Sequence, residues 1–402
     1  MSRLRVVTAV LGSLALAAFV ACADSSNGSG PNPDDHTDGG TLPPSPEQEA
    51  GTPEQDAGDA AVDDDAGTPE CSREGFCHTV VPKHQTLRSV WSDGAGVTWA
   101  VSEQGAVLRY DGTWKVHATL DGALSSIWGS SPTDIWVGGD NGLFHGEGTS
   151  SAALAFAPVA TPGPSTPILS IWGTGPNDVW ATGNLNTFPI LSRVLHYGPA
   201  APGNDAEWSL EKVTDADVLW SRVFGSTASG VWVGGEWFTR DGREPIILRR
   251  SAGADVWLEE KLPRKPNDPS SHGRFKQLFD AKASTDGQSM WMVGLMEGNA
   301  PAFAYATSTD GGKTFAWTWG YAGDQGDPYL NAIAATGPNG IFIAGDYARL
   351  RVFDGAKWKQ AVTSVTKYPI IAPFYAAGGP ADDLWFVGDE VALHRVASKI
   401  HP

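Results

Sequence analysis

Two stretches of this chain nearly copy one another, and the repetition limits the fold more than any other feature. They are Leu124-Ser-Ser-Ile-Trp-Gly-Ser-Ser-Pro-Thr-Asp-Ile-Trp136 and Leu169-Ser-Ile-Trp-Gly-Thr-Gly-Pro-Asn-Asp-Val-Trp180. Fainter copies keep the spacing. Ser89-Val-Trp91 precedes Val97-Thr-Trp99, Arg222-Val-Phe-Gly225 precedes Gly230-Val-Trp232, and Gln277-Leu-Phe279 precedes Ser289-Met-Trp291. Further on, Ala332-Ile-Ala-Ala335 precedes Gly340-Ile-Phe342, and Tyr375-Ala-Ala-Gly378 precedes Asp383-Leu-Trp385. The second aromatic of each unit is Trp99, Trp136, Trp180, Trp232, Trp291, Phe342 or Trp385, which makes seven copies. A period of about 46 residues over 79–402 falls in the range of propeller blades, ~40–50.

Each copy follows one grammar. Small residues follow the second aromatic (Val137-Gly-Gly139, Phe386-Val-Gly388), then a polar turn, then an alternating strand such as Ala106-Val-Leu-Arg-Tyr110 or Arg349-Leu-Arg-Val-Phe353. An Asp-Gly turn (Asp111-Gly112, Asp354-Gly355) leads into a strand opening with Trp114 or Trp358. Turns led by Pro132, Pro176, Pro338 and Pro380 reverse the chain between the first two strands. Four short strands per unit and no helical periodicity predict an all-β, seven-bladed β-propeller over 79–402. Adjacent sheets pack ~10 Å apart, and Trp fills such a gap with the largest apolar surface. All seventeen Trp fall within the repeats, so they read as core. The last repeat has no fourth strand after Ala392-Leu-His-Arg-Val396. The strand-like Thr79-Val-Val81 is expected to supply it and so remove an open sheet edge.

The chain opens with a basic Met1-Ser-Arg-Leu-Arg5 and an apolar run, Val6–Ala21. That run is shorter than the ~20 residues a membrane-spanning helix needs, and it reads as a signal peptide. Its end, Ala18-Phe-Val-Ala-Cys22, resembles the lipobox of bacterial lipoproteins. The resemblance implies that Cys22 is acylated, becomes the first mature residue and anchors the chain in a membrane. The next segment, Ala23–Glu70, carries thirteen acids, no Lys or Arg and no aromatic residue. It cannot bury enough apolar surface to offset its ordering entropy and is expected to be a disordered tether. Most of the −18 charge sits there, because residues 71–402 hold 33 acids against 26 bases. That balance offers no footprint for nucleic acid. With Cys22 lipidated, Cys71 and Cys77 remain. In an exported protein they are expected to form a disulfide closing the 71–78 loop. His78 and His84 lie nearby without a zinc-site spacing, so no metal or cofactor is expected.

The unit Ile127-Trp-Gly-Ser-Ser-Pro-Thr-Asp-Ile-Trp-Val-Gly-Gly-Asp140 resembles the repeat of bacterial surface or periplasmic propeller lipoproteins. These are distantly similar to kelch-type and Asp-box propellers. The resemblance covers roughly 87–399 and implies architecture, since most such proteins have no assigned activity. Ser308-Thr-Asp-Gly-Gly-Lys-Thr-Phe315 matches the Asp-box of sialidases, a hairpin-stabilising turn rather than a catalytic element.

No nucleophile elbow, zincin motif, P-loop or dinucleotide fingerprint is present. His145, His196 and His394 recur at related repeat positions, as structural residues do. Arg240, Arg243, Arg249 and Arg250 fall in one repeat rather than around a ring. Paired carboxylates for glycoside chemistry stay open, because their separation cannot be read from sequence. Four positions after each blade aromatic stand Glu103, Asp140, Asn184, Glu236, Leu295, Asp346 and Asp389. These would gather at one mouth of the channel as a partial acidic ring for a cation or a basic partner, or simply suit the turn. Trp237, Phe238 and Arg240, in an irregular stretch of the fourth repeat, have the composition of an interface hot spot; Trp237 packing on its own blade is the alternative. A second irregular stretch, Pro263–Arg274, reads as an inserted loop. The expectation is a monomeric, non-enzymatic envelope lipoprotein that binds a protein or polysaccharide through one propeller face. The alternatives are a sialidase-like hydrolase or lyase, and a periplasmic assembly scaffold.

Overall fold

Second strands such as Thr98–Ser102 and Ile341–Gly345 are buried at every residue. A strand covered on both faces must lie inside a stack of sheets. The computed structural model arranges these strands as seven four-stranded antiparallel sheets around a channel. It describes residues 71–400 apart from 200, 202, 240–241, 265–274, 323–325, 338–339 and 364–371. The leader, Cys22, the acidic tether and Arg240 therefore lie outside the described residues, as do Pro338 and most of the 263–274 loop. Two single 3-10 turns, Ser151–Ala153 and Glu297–Asn299, are the only helical elements among the described residues.

In six blades the four strands follow chain order, with the first strand innermost. In the seventh the outer strand comes from the N-terminus, where Glu74–Thr79 pairs with Ala392–Ile400. This corrects the expected closing strand, since only Thr79 of Thr79–Val81 belongs to it. Phe76 sets the position. It is buried among Phe342 of the sixth blade and Phe386 of the seventh, whereas Val80 points into solvent. The cysteine loop is thus part of the closure rather than a separate element. Cys71 and Cys77 are disulfide-bonded across a tight turn at Ser72–Phe76.

The second aromatics fill the gaps between blades as expected. Trp99, Trp180, Trp232 and Trp385 are among the largest fully buried side chains. The first aromatics explain the recurrent Trp-Gly pair. A Cβ on Gly129, Gly173 or Gly225 would come within 3.1 Å of Trp91, Trp128 or Trp172 of the preceding blade. The same Cβ would come still closer to Ile135, Asp178 or Gly230 of the facing second strand, so glycine is held there from both sides.

The fifth blade departs from the sequence register. Two bulges in its first strand, Phe275–Ala283, bring Lys282 rather than Phe279 opposite Trp291. Likewise Gly378 stands opposite Trp385, so Tyr375 lies one place earlier than its assumed counterpart Arg222.

The glycine three residues after the second aromatic lies under the connection entering its blade. A Cβ on Gly183 would sit 2.0 Å from Pro167 O, whereas one on Gly175 would meet nothing within 4 Å. Gly183→Ala is expected to cost about 1–3 kcal/mol, the usual penalty of overpacking, and Gly175→Ala close to none. Thermal denaturation of the two variants checks this.

Candidate functional site

The first strand of each blade is a sheet edge turned to the channel, and some of its N–H groups have no partner in their own sheet. The preceding blade supplies one. Ser89 Oγ accepts from Ile127 N–H at 3.2 Å, Ser126 Oγ from Ile171 N–H at 2.9 Å, and Ser170 Oγ from Val223 N–H at 3.1 Å. Arg222 holds the same place in the fourth blade and donates from Nε to Phe279 O. Asp280 holds it in the fifth, where Oδ2 accepts from Ile333 N–H at 3.1 Å. Ala332 and Ala376 hold it in the sixth and seventh blades and cannot clasp. The channel encloses about 650 Å³, and its wall is small and open on that side.

One residue earlier, six of the seven first strands carry a β-bulge, at Arg88, Ser125, Ser221, Phe279, Asn331 and Tyr375. A bulge re-aims the extra side chain. Five of these six residues line the channel, Ser221 being the exception. The acids of the expected ring end the second strands beside these bulges, on the same face. Glu103 pairs with Arg88, Asp346 accepts from Asn331 at 2.9 Å, Asp389 from Thr86 at 2.9 Å, and Glu236 from Arg243 at 3.2 Å. Asp140 is exposed at its turn. The acids do not form an even ring. Glu103, Asp346 and Asp389 gather around Tyr375, whose ring carries the Arg88 guanidinium at 3.9 Å. Burial raises the Tyr375 phenol pKa; Arg88 opposes the shift, and the three carboxylates add to it.

Trp237 and Phe238 lie near the tip of a long hairpin, Gly230–Thr239 with Gly242–Arg250. Trp237 is 37% exposed rather than packed into the blade, and Phe238 lies under the Arg243 guanidinium at 4.9 Å. Sequence reasoning missed the neighbouring hairpin of the third blade, whose tip exposes Leu185 and Phe188. The signal was present as Asn186-Thr-Phe-Pro189, a large apolar residue at a proline turn. Tyr329 and Tyr347 of the sixth blade are also exposed on this face.

The other recurrent polar residues are committed to structure. His145, His196 and His394 stack on Trp136, Trp180 and Trp385 at 3.8, 4.0 and 4.1 Å. Each donates from Nε2 to the aspartate opening the second strand, Asp134, Asp178 or Asp383. Those carboxylates also accept from Ser130, Thr174 and Ser92. The hydroxyl bonds to the carboxylate and not to the imidazole, so the serine–histidine–aspartate order of a catalytic triad is not formed. Arg249 takes the histidine's place opposite Trp232 and binds the carbonyls of Gly312 and Lys313. It thereby ties the 308–315 turn, where Asp310 accepts from Lys313 and Thr314, onto the fourth blade. Arg250 lies over Trp180 of the third blade at 4.5 Å and pairs with Glu211. Among the described residues no group of three His, Cys, Asp or Glu could hold a metal ion.

Burial pushes the carboxyls of Asp134, Asp178 and Asp383 up, but the histidine and hydroxyl hydrogen bonds outweigh it and leave each pKa lowered. A depressed folded-state pKa contributes stability that is full above the unfolded value, ~3.9, and is lost as pH falls through the folded one. Melting temperature is therefore expected to decline below about pH 4 through these groups. Asp383→Ala is expected to cost about 1.5–3 kcal/mol at pH 7 and to shrink that acid limb. Denaturation between pH 7 and 3 checks both.

No family model matches the chain, and no curated protein matches it. Solved structures do. YCF48 bound to D1 peptide superposes with a TM-score of 0.55 at 17% identity, over 82% of this chain and 99% of that one. The extracellular domain of the one-component system BT4673 from B. thetaiotaomicron gives 0.55 at 13% identity, over 81% of this chain and 40% of that one. The WD40 β-propeller domain of Doa1 gives 0.50 at 13%, over 81% and 99%. At these identities the likeness concerns the fold.

Proposed function

We infer that this propeller is a non-enzymatic binding module that engages a protein partner on the face bearing the channel mouth and the second-to-third-strand turns. One observation carries the reading. Leu185, Phe188, Trp237, Tyr329 and Tyr347 are exposed large apolar residues, and the topology puts all five on that face. Aromatic anchors with charged residues around them are the composition of interface hot spots. Glu103, Asp346 and Asp389 around Tyr375 suit a basic group of the partner, and Asp140 and Glu236 extend the acidic character of the rim. The YCF48 structure holds a D1 peptide, which supports a peptide- or protein-binding role for a propeller of this shape. In this reading acylated Cys22 holds the module at the cell envelope, and the acidic tether sets its reach.

The test is photo-crosslinking in the native envelope from the full-length chain, with the reactive residue at 188, 237 or 347, or at the outer-strand positions 116 and 258. One protein captured in constant ratio from the first set and not the second is expected. Capture of polysaccharide without protein would move the assignment to glycan binding, and a search for hydrolysis would follow.

A further inference from the structure

The belt that clasps blade to blade contains one member whose chemistry the clasp does not use up. Arg222 spends Nε–H on Phe279 O and one Nη1–H on Ser221 O at 2.8 Å. A guanidinium has five N–H groups, so three remain, both on Nη2 among them, with no partner among the described residues. Arg222 takes part in none of the ion pairs found there. Its nearest charge, Asp280, accepts from Ala281 N–H at 2.9 Å and Ile333 N–H at 3.1 Å and lies 3.9 Å from Lys282. Burial lowers the Arg222 pKa and Asp280 restores only part of it, which is the signature of a cation short of a counter-ion. The side chain lines the channel. In a seven-membered ring the fourth blade faces the gap between the seventh and the first, where the belt carries Ala376 and Ser89. That stretch of wall also carries Arg88, held by Glu103 and lying over Tyr375.

We propose that the channel is a carboxylate-binding site in which Arg222 receives the ligand carboxylate through its two outer N–H groups. A planar guanidinium fork matches a carboxylate bidentately, and that charge-assisted pair gains strength away from bulk water. Lys282, on the adjacent blade and also in the wall, adds a second positive charge nearby. Asp280 and Asp346 in the same wall disfavour a multiply charged anion, so the ligand is a monocarboxylate. The space leaves two sources open, a free small organic acid or the C-terminal carboxylate of a peptide entering from the mouth. The proposal goes beyond the docking of a protein on the mouth face, and failure of the crosslinking experiment would leave it standing.

Trp91, Trp128 and Trp172 line the channel, so intrinsic fluorescence reports on occupancy. The full-length chain is titrated with sodium propionate, trialanine and trialanine amide, with sodium chloride holding ionic strength constant. Saturable change is expected with at least one carboxylate, and the amide is expected to bind at least tenfold more weakly than the free peptide. Saturation by propionate alone identifies a small acid as the source, and saturation by trialanine alone a peptide terminus. Arg222→Gln is expected to weaken binding at least tenfold. Because Arg222 also clasps the fifth blade, Arg222→Lys, which keeps the charge without the fork, is measured beside it together with the melting temperatures of both variants, and it is expected to lose several-fold in affinity. Equal binding of peptide and amide, no saturation by any carboxylate, or wild-type affinity in Arg222→Gln would overturn the proposal.

Discussion

Trp180→Ala is expected to destabilise the propeller by about 3–5 kcal/mol, the range for truncating a large buried aromatic. Trp180 has no exposed surface. Its indole N–H donates to Asp178 at 2.9 Å, its face carries His196 at 4.0 Å, and Arg250 of the fourth blade lies over it at 4.5 Å. Alanine would leave a cavity between the third and fourth blades and also deprive Arg250 and His196 of the surface they lie on. Such contacts join each blade to its neighbours beside the clasping hydrogen bonds, so local loss is felt beyond one blade. Trp237→Ala removes a side chain of the same size from an exposed hairpin tip and is expected to change stability by less than about 1 kcal/mol. Urea denaturation of both variants checks the contrast. Equal losses would show that the two tryptophans do not divide between core and surface.

Removing residues 71–79 is expected to abolish cooperative unfolding and to cause self-association. The deletion takes the outer strand from the seventh blade and exposes the edge of Ala392–Ile400, which then has no partner. It also removes Phe76, the contact that joins the closing strand to the sixth blade, and the hydrogen bond from Val362 N–H to Glu74 at 2.9 Å. Phe76→Ala tests the apolar part alone and is expected to cost about 3–5 kcal/mol. Losing the Cys71–Cys77 bridge is expected to cost less, about 2 kcal/mol, because the loop it closes is short. Size-exclusion chromatography and thermal unfolding of the three variants rank these effects. A deletion variant that elutes like the parent chain with an unchanged melting temperature would mean that the ring closes without its N-terminal strand.

The architecture was legible because the repeats are physically redundant. A Trp that must fill a gap between sheets, a Gly that must lie beneath a neighbouring indole and a Pro that must reverse the chain recur at fixed spacing. What the sequence hid depends on register and on contacts between blades. The pair of bulges before Lys282 displaced the fifth blade by three positions, and no local signal marks a bulge. The closing strand was misplaced because Val80 and Val81 look more strand-like than Gly75 and Phe76, while the packing of Phe76 against two other blades decides the register. The acidic positions were visible as a series, yet their convergence on Tyr375 arises only when the ring closes. Arg222 looked like a weak copy of a serine. Its isolation as a cation is a property of the seven-membered belt.

The claim that the mouth face is the working surface is tested most directly by partner affinity. With the crosslinked protein in hand, calorimetry compares the double variant Phe188→Ser/Trp237→Ala with Val116→Ser/Leu258→Ser, which alters two exposed apolar residues on outer strands. The account predicts at least a tenfold loss of affinity in the first variant and less than a twofold change in the second, with both folded. The reverse order, or an equal loss in both, would contradict it.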